Sequence, residues 1–150
     1  LILGSGDPLV ESQLESLKSN FVGYYNSQIG YNEKLAHQMY AGADFILMPS
    51  RVEPCGLNQM YAMRYGTVPI VRSTGGLKDT VIDFGESYGF GIRFNNATVW
   101  DITYSIHRAV ELYDDKERMA EIRERMMKIN NSWEVSAEKY INLYDSIRLT

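Results

Sequence analysis

Phe45-Ile46-Leu47-Met48, at the end of the run Asp44 to Met48, is the clearest strand signal in this sequence. Four consecutive apolar residues bounded by Pro49 read as a strand. Behind it comes Pro49-Ser50-Arg51-Val52-Glu53-Pro54-Cys55-Gly56-Leu57-Asn58-Gln59, a loop bracketed by Pro and Gly, and a helix-like run from Leu57 to Tyr65. Strand, loop and helix N-terminus together make an anion-binding corner. The first N–H groups of the helix have no acceptor within it, and the helix dipole favours negative charge there. Gly56 lets the backbone approach a ligand with no side chain in the way. Glu53 places one carboxylate beside the expected phosphate position. The combination suits a ligand that joins a phosphate to a hydroxyl-rich group.

The same alternation of apolar runs and longer helical patterns extends along the chain, which predicts an α/β fold with a parallel sheet. Leu1-Ile2-Leu3 reads as a buried strand that ends in the turn residues Gly4-Ser5-Gly6-Asp7-Pro8. Val10 to Ser19 reads as a helix with Leu14 and Leu17 inward, Phe21 to Tyr25 as a strand, and Glu33 to Tyr40 as a helix capped by Asn32. Thr67-Val68-Pro69-Ile70-Val71 predicts a further strand, with Pro69 marking an irregularity in its pairing. A second Gly-rich loop follows, Arg72-Ser73-Thr74-Gly75-Gly76-Leu77, and enters a short helix. Tyr88 to Phe94 predicts a turn and a last short strand. From Thr98 the pattern is helical: Trp100, Ile102, Tyr104, Ile106, Ala109, Val110 and Leu112 crowd one helix, and Met119, Ile122, Met126 and Ile129 space out a second. A third runs from Trp133 to Ile147 behind a Ser132 cap. Ligands of open α/β sheets bind beyond the carboxyl ends of the strands, so the 4–7, 53–58 and 73–77 loops are expected on one rim.

At 150 residues and 45% hydrophobic, the chain suffices for one domain with a real core. A formal charge of −4 opposes nonspecific nucleic-acid binding, which needs a basic surface. One cysteine excludes an internal disulfide and fits a reducing, cytoplasmic setting. No apolar run reaches the roughly 20 residues of a membrane span, so no membrane partner is expected. No D-x-D occurs, and no His/Cys/Asp cluster has ligand spacing, so neither a metal site nor a cofactor is expected. His37 and His107 read as ordinary helix positions, and Cys55 as a small cleft-lining residue rather than a nucleophile. The mixed charges from Asp114 to Lys128 read as a solvated helix face.

The order Gly4-Ser5-Gly6-Asp7-Pro8, Gly30-Tyr31, Glu53-Pro54-Cys55-Gly56-Leu57, Arg64-Tyr65-Gly66-Thr67-Val68-Pro69 and Thr74-Gly75-Gly76-Leu77-Lys78-Asp79-Thr80-Val81 resembles the donor-binding lobe of glycogen and starch synthases. These are retaining GT-B glucosyltransferases, glycosyltransferase family 5. The likeness covers nearly the whole chain and is most specific over 44–81. Ser132-Trp133-Glu134 adds a familiar turn, and the helices after residue 98 match mainly in pattern.

The resemblance implies a Rossmann-like parallel sheet flanked by helices, the C-terminal half of a GT-B fold. It implies transfer of α-glucose from ADP-glucose to the non-reducing 4-OH of an α-1,4-glucan, with retention. Glu53 would hydrogen-bond the glucose hydroxyls, and the amides around Gly56, Leu57 and Asn58 would hold the diphosphate. Cys55 would line the cleft and Tyr31 would pack on adenine. Thr74, Gly75 and Gly76 would line the sugar and phosphate side. The family's phosphate-neutralising Arg and Lys belong upstream of residue 1, and its acceptor lobe has no counterpart in this sequence. With Leu1 apparently inside a strand, the expectation is a single donor-binding domain, residues 1–150, truncated at its N-terminus and inactive alone. The last helix would then expose Tyr140, Ile141 and Tyr144 and invite self-association. Three readings stay open beside this one: another GT-B donor lobe using a UDP- or GDP-sugar, a noncatalytic nucleotide- or glycan-binding module, and a nucleotide-sugar epimerase lobe. A phosphorylase lobe would need a lysine-bound pyridoxal motif, which the sequence does not show.

Overall fold

The computed structural model describes residues 1–148. The chain's packing separates into two units, Leu1–Tyr40 and the remainder from Ala41.

The first unit contains β1 (Ile2–Gly4), α1 (Pro8–Asn20) and β2 (Ser27–Ile29), and α2 (Glu33–Gly42) spans its boundary. β1 and β2 pair in parallel with Leu3 opposite Gln28, but β1 is not the buried strand expected, because in a sheet of only two strands Leu1 and Ile2 stay exposed. Asp7 starts α1, its carboxylate accepting from the amides of Leu9 at 2.9 Å and Val10 at 3.3 Å, with Pro8 in the first turn. Leu14 and Leu17 lie on the half-buried face of α1, as their spacing predicts. Asn32 caps α2 by accepting from the Leu35 amide at 2.9 Å.

The expected strand at Phe21–Tyr25 is a turn. The Phe21 amide closes α1 onto the Leu17 carbonyl, and the Phe21 carbonyl takes both the Tyr24 and Tyr25 amides. Backbone groups committed to that turn cannot join a ladder, and the strand forms at Ser27–Ile29 instead. There the Ser27 hydroxyl is buried and satisfied by the Glu15 carboxylate at 2.8 Å.

The second unit contains β3 (Phe45–Met48), α3 (Asn58–Tyr65), β4 (Val68–Arg72), α4 (Gly75–Thr80), β5 (Ile92–Phe94), α5 (Val99–Asp114), α6 (Lys116–Met127) and α7 (Trp133–Arg148). Its sheet has the order β3-β4-β5, all parallel. Parallel strands flanked by helices are the Rossmann-like α/β arrangement expected from the sequence. β4 is the central strand, with Val68, Pro69, Ile70 and Val71 all buried. Against this sheet pack Met63 of α3, Leu77 of α4, and the α6 stripe Met119, Ile122 and Met126.

Pro69 does not disturb the β3–β4 ladder, contrary to expectation: it pairs with Ile46 in unbroken register from Phe45↔Val68 to Met48↔Val71. The Val68 amide donates to Asp44 on the β3 side, so alternation turns position 69 toward β5. Pairing with β5 begins only at Ile70↔Ile92, so the missing proline N–H falls where no ladder bond is needed.

α5 is also narrower in its burial than its crowded apolar sequence suggests. Only Ser105, Ala109 and Leu112 are buried, one helical stripe, while Trp100, Tyr104 and Val110 stay exposed. The Ser105 hydroxyl is satisfied within the helix by the Asp101 carbonyl at 2.8 Å. Thr98 caps α5 by accepting from the Asp101 amide. On α7 none of the described residues is buried, and Tyr140, Ile141 and Tyr144 are exposed. Ser132 precedes that helix, its carbonyl accepting from Ser136 and its hydroxyl holding the Glu134 carboxyl below its usual value.

Beside β5 Asp83 and Arg108 form a two-pronged ion pair, Nη2 to Oδ1 at 2.6 Å and Nη1 to Oδ2 at 3.0 Å. Asp83 also accepts from the amides of Arg93 and Gly85. The Phe84 ring takes the guanidinium groups of Arg108 at 4.6 Å and Arg118 at 4.8 Å. Burial pushes the Asp83 carboxyl up, but the bonds from Arg108 and the two amides outweigh it and hold the group below its ordinary value. A depressed carboxyl contributes stability that is complete above its unfolded value, near 3.9, and is lost as pH falls through the lower folded value. Asp83→Asn should therefore lower stability at pH 7 by about 1–3 kcal/mol. The gap to the parent should hold to about pH 5 and narrow below about pH 4, as read from urea unfolding across that range.

Candidate functional site

The carboxyl ends of β3 and β4 lead into the two Gly-rich loops, and the loops meet backbone to backbone. The Gly76 amide donates to the Glu53 carbonyl at 3.2 Å. A Cβ on Gly75 would collide with that same carbonyl oxygen, and one on Gly76 would collide with the carbonyl oxygen of Cys55. Gly75 is also left-handed, at φ 44°. Both glycines are thus required here by closeness of approach, and Gly75 by its dihedral angle as well. This places Glu53, Cys55, Gly56, Leu57, Asn58, Thr74, Gly75 and Gly76 at one corner of the second unit.

Glu53 is half-buried, and its carboxylate accepts from the Ser50 hydroxyl at 3.3 Å. Cys55 is a free, exposed thiol. Gly56 turns at φ 73°, and Leu57 and Asn58 are exposed where α3 begins. No side chain caps that helix end, so its first amides face the rim without an intrahelical acceptor. Thr74, in extended conformation, precedes α4. Tyr31 belongs to the first unit, where it follows β2 and is 89% exposed.

Three residues that build the corner escaped the sequence reading. Arg72, at the end of β4, donates from Nη1 to the carbonyls of Arg51 at 2.6 Å and Ser50 at 3.4 Å, and from Nε to that of Asn95 at 3.0 Å. One guanidinium thereby ties together the chain after β3 and the chain after β5. Gln59, wholly buried, donates from Nε2 to the carbonyls of Gly56 at 2.8 Å and Cys55 at 3.2 Å and to the Thr80 hydroxyl at 3.1 Å. Thr80 in turn donates to the Gly76 carbonyl at 2.6 Å. A signal for Gln59 was present: it shares the buried stripe of α3 with Ala62 and Met63, the one polar member of that stripe.

Two clefts of the second unit lie elsewhere. One of about 270 Å³ is walled by Phe45, Ile70 and α5, and one of about 230 Å³ by Arg93, Trp100, Tyr104 and Arg108. The corner itself brings one carboxylate, that of Glu53, onto the loop that leads into the uncapped start of α3. Among the described residues no three His, Cys, Asp or Glu side chains cluster as a metal site would need, and no helix is long and apolar enough to cross a membrane. His37 stacks edge-on to Tyr40, with ring centroids 6.0 Å apart, and His107 is exposed on α5.

Comparison with known proteins bears on this corner. The family model for glycosyl transferases group 1 matches residues 14–126. A glycogen synthase of Flavobacterium johnsoniae is 61% identical over 147 residues, 98% of this chain and 31% of that protein. One from Anoxybacillus flavithermus is 47% identical over 149 residues, with the same coverage. The solved catalytic domain of starch synthase IV from Arabidopsis thaliana, bound to ADP and acarbose, superposes with a TM-score of 0.87 at 35% identity, over 97% of this chain and 31% of that one. The chain therefore spans about a third of the length of the relatives it matches.

The contact between the loops makes a stability prediction. Gly76→Ala should destabilise the chain by about 3 kcal/mol or more, because the methyl displaces a carbonyl rather than a flexible side chain. Cys55→Ala, at an exposed position, should cost less than about 0.5 kcal/mol. Urea unfolding of the two variants beside the parent checks the contrast.

Proposed function

The chain belongs to the glycosyl transferases group 1 family, and on that premise we propose that it is the donor-binding lobe of a glycogen or starch synthase. The reaction proposed is transfer of α-glucose from ADP-glucose to the non-reducing 4-OH of an α-1,4-glucan with retention, in the cytoplasm. A retaining same-face path requires stabilisation of the departing diphosphate and firm holding of the sugar. The amides of Gly56, Leu57 and Asn58 at the start of α3 take the first task. Glu53 takes the second, accepting from glucose hydroxyls, while Thr74, Gly75 and Gly76 close the phosphate side. Tyr31 takes the adenine. The lobe does not turn over alone, because the acceptor glucan binds on a second lobe. The exposed face of α7 meets that lobe in this reading and self-associates without it.

The observation that carries the proposal is the backbone contact between the two loops. It sets a carboxylate and an uncapped helix start on one rim, the arrangement that a sugar joined to a diphosphate needs. The ADP in the solved starch synthase supports the choice of adenine nucleotide.

Titration calorimetry tests it. The 150-residue chain should bind ADP more tightly than UDP or GDP. Glu53→Ala should weaken ADP-glucose by about 10-fold or more, the scale of one charge-assisted hydrogen bond, and leave ADP within about 2-fold. Equal losses for ADP and ADP-glucose would remove Glu53 from the sugar. A preference for UDP or GDP would favour a GT-B lobe with a different donor.

A further inference from the structure

We propose that Gln59 is a positioning residue that aims the diphosphate-binding amides. The proposal rests on the function proposed above and assigns a role to a side chain outside the rim itself.

All described peptide bonds are trans, and in a trans peptide the N–H of one residue points opposite to the C=O of the residue before it. Gln59 Nε2 draws the Cys55 and Gly56 carbonyls inward, at 3.2 and 2.8 Å. The N–H groups of Gly56 and Leu57 must then point the other way, away from the buried amide. Without a donor inside, those two carbonyls would be free to turn outward and present negative ends to a diphosphate. The Gln59 side chain thus converts a flexible glycine loop into a fixed pair of donors beside the uncapped start of α3.

The same amide group reaches the second loop. Gln59 meets Thr80, Thr80 holds the Gly76 carbonyl, and the Gly76 amide holds the Glu53 carbonyl, which closes a ring of hydrogen bonds around the corner. Gln59 Oε1, also buried, has no partner among the described residues. It is the atom nearest to where a Cβ at Gly56 would stand, 2.6 Å away. An apolar side chain at this place would leave the Cys55 and Gly56 carbonyls and the Thr80 hydroxyl without this donor. The donor end accounts for its presence.

Gln59→Met keeps the length and removes the donors. Its ADP affinity should fall by about 10-fold or more, and the amide signals of Gly56 and Leu57 should shift in the free protein. Hydrogen exchange at the Gly76 amide should quicken while the amides of β4 keep their protection. Ile122→Val, a core change that lowers stability, serves as control and should leave ADP affinity and the Gly76 amide untouched. Thr80→Val, milder if Gln59→Met folds poorly, should show the same signs at smaller size. An unchanged ADP affinity in Gln59→Met, or an equal loss in Ile122→Val, would overturn the proposal. If the parent chain binds no nucleotide, the functional reading fails; unmoved Gly56, Leu57 and Gly76 amides would then refute the positioning as well, and displaced ones would sustain it.

Discussion

The carbonyl oxygens of Glu53 and Cys55 occupy the space that side chains at positions 75 and 76 would otherwise fill. Everything at the corner depends on this contact. It brings the loop after β3 and the loop after β4 to within one hydrogen bond, Gly76 to Glu53, without the side-chain layer that normally separates two loops. The glycines are the condition for it, and no other residue type satisfies both the approach and the φ of 44° at Gly75.

Around that contact the rest of the second unit acts as a frame. β4 is buried along its length and carries both the second loop and, at its end, Arg72, whose guanidinium gathers carbonyls from the chain after β3 and after β5. The helices α3 and α6 hold the sheet from one side through Met63, Met119, Ile122 and Met126. The Asp83–Arg108 pair, with Phe84 beneath it, anchors the chain that returns from α4 to β5. On the rim the carbonyls of Arg51, Cys55, Gly56 and Gly76 are held by side-chain donors, and in the proposed reading the adjoining amides are left for the ligand.

Much of this was legible in the sequence, for identifiable reasons. Val68 to Val71 announces itself because a strand covered on both faces has no polar positions to blur it, and Phe45 to Met48 is as uniformly apolar although Leu47 stays exposed. Met119, Ile122 and Met126 do so because the rest of α6, Ala120 and Met127 apart, is charged. The errors have equally specific causes. Phe21 to Tyr25 has strand composition, yet the end of α1 claims its backbone for a turn. The apolar residues of α5 surround the helix, so composition could not say that the 105–109–112 stripe would be the buried one. Pro69 looked disruptive because which neighbour a backbone N–H faces depends on register, which one strand alone does not reveal. Glu53 and the two Gly-rich loops were visible as motifs. Thr80 and Arg72 were not, and Gln59 only as the polar member of an apolar helix stripe, because their work is to hold carbonyls that only the folded loops bring within reach.

The central claim is that the two loops act as one anion-binding corner. The most direct measurement is an amide-resolved NMR titration of the chain with ADP. The account predicts saturable shifts that cluster at Gly56, Leu57 and Asn58 and, in step with them, at Thr74, Gly75 and Gly76. Shifts confined to one loop, or centred on the cleft beside Trp100 and Arg108, would contradict it.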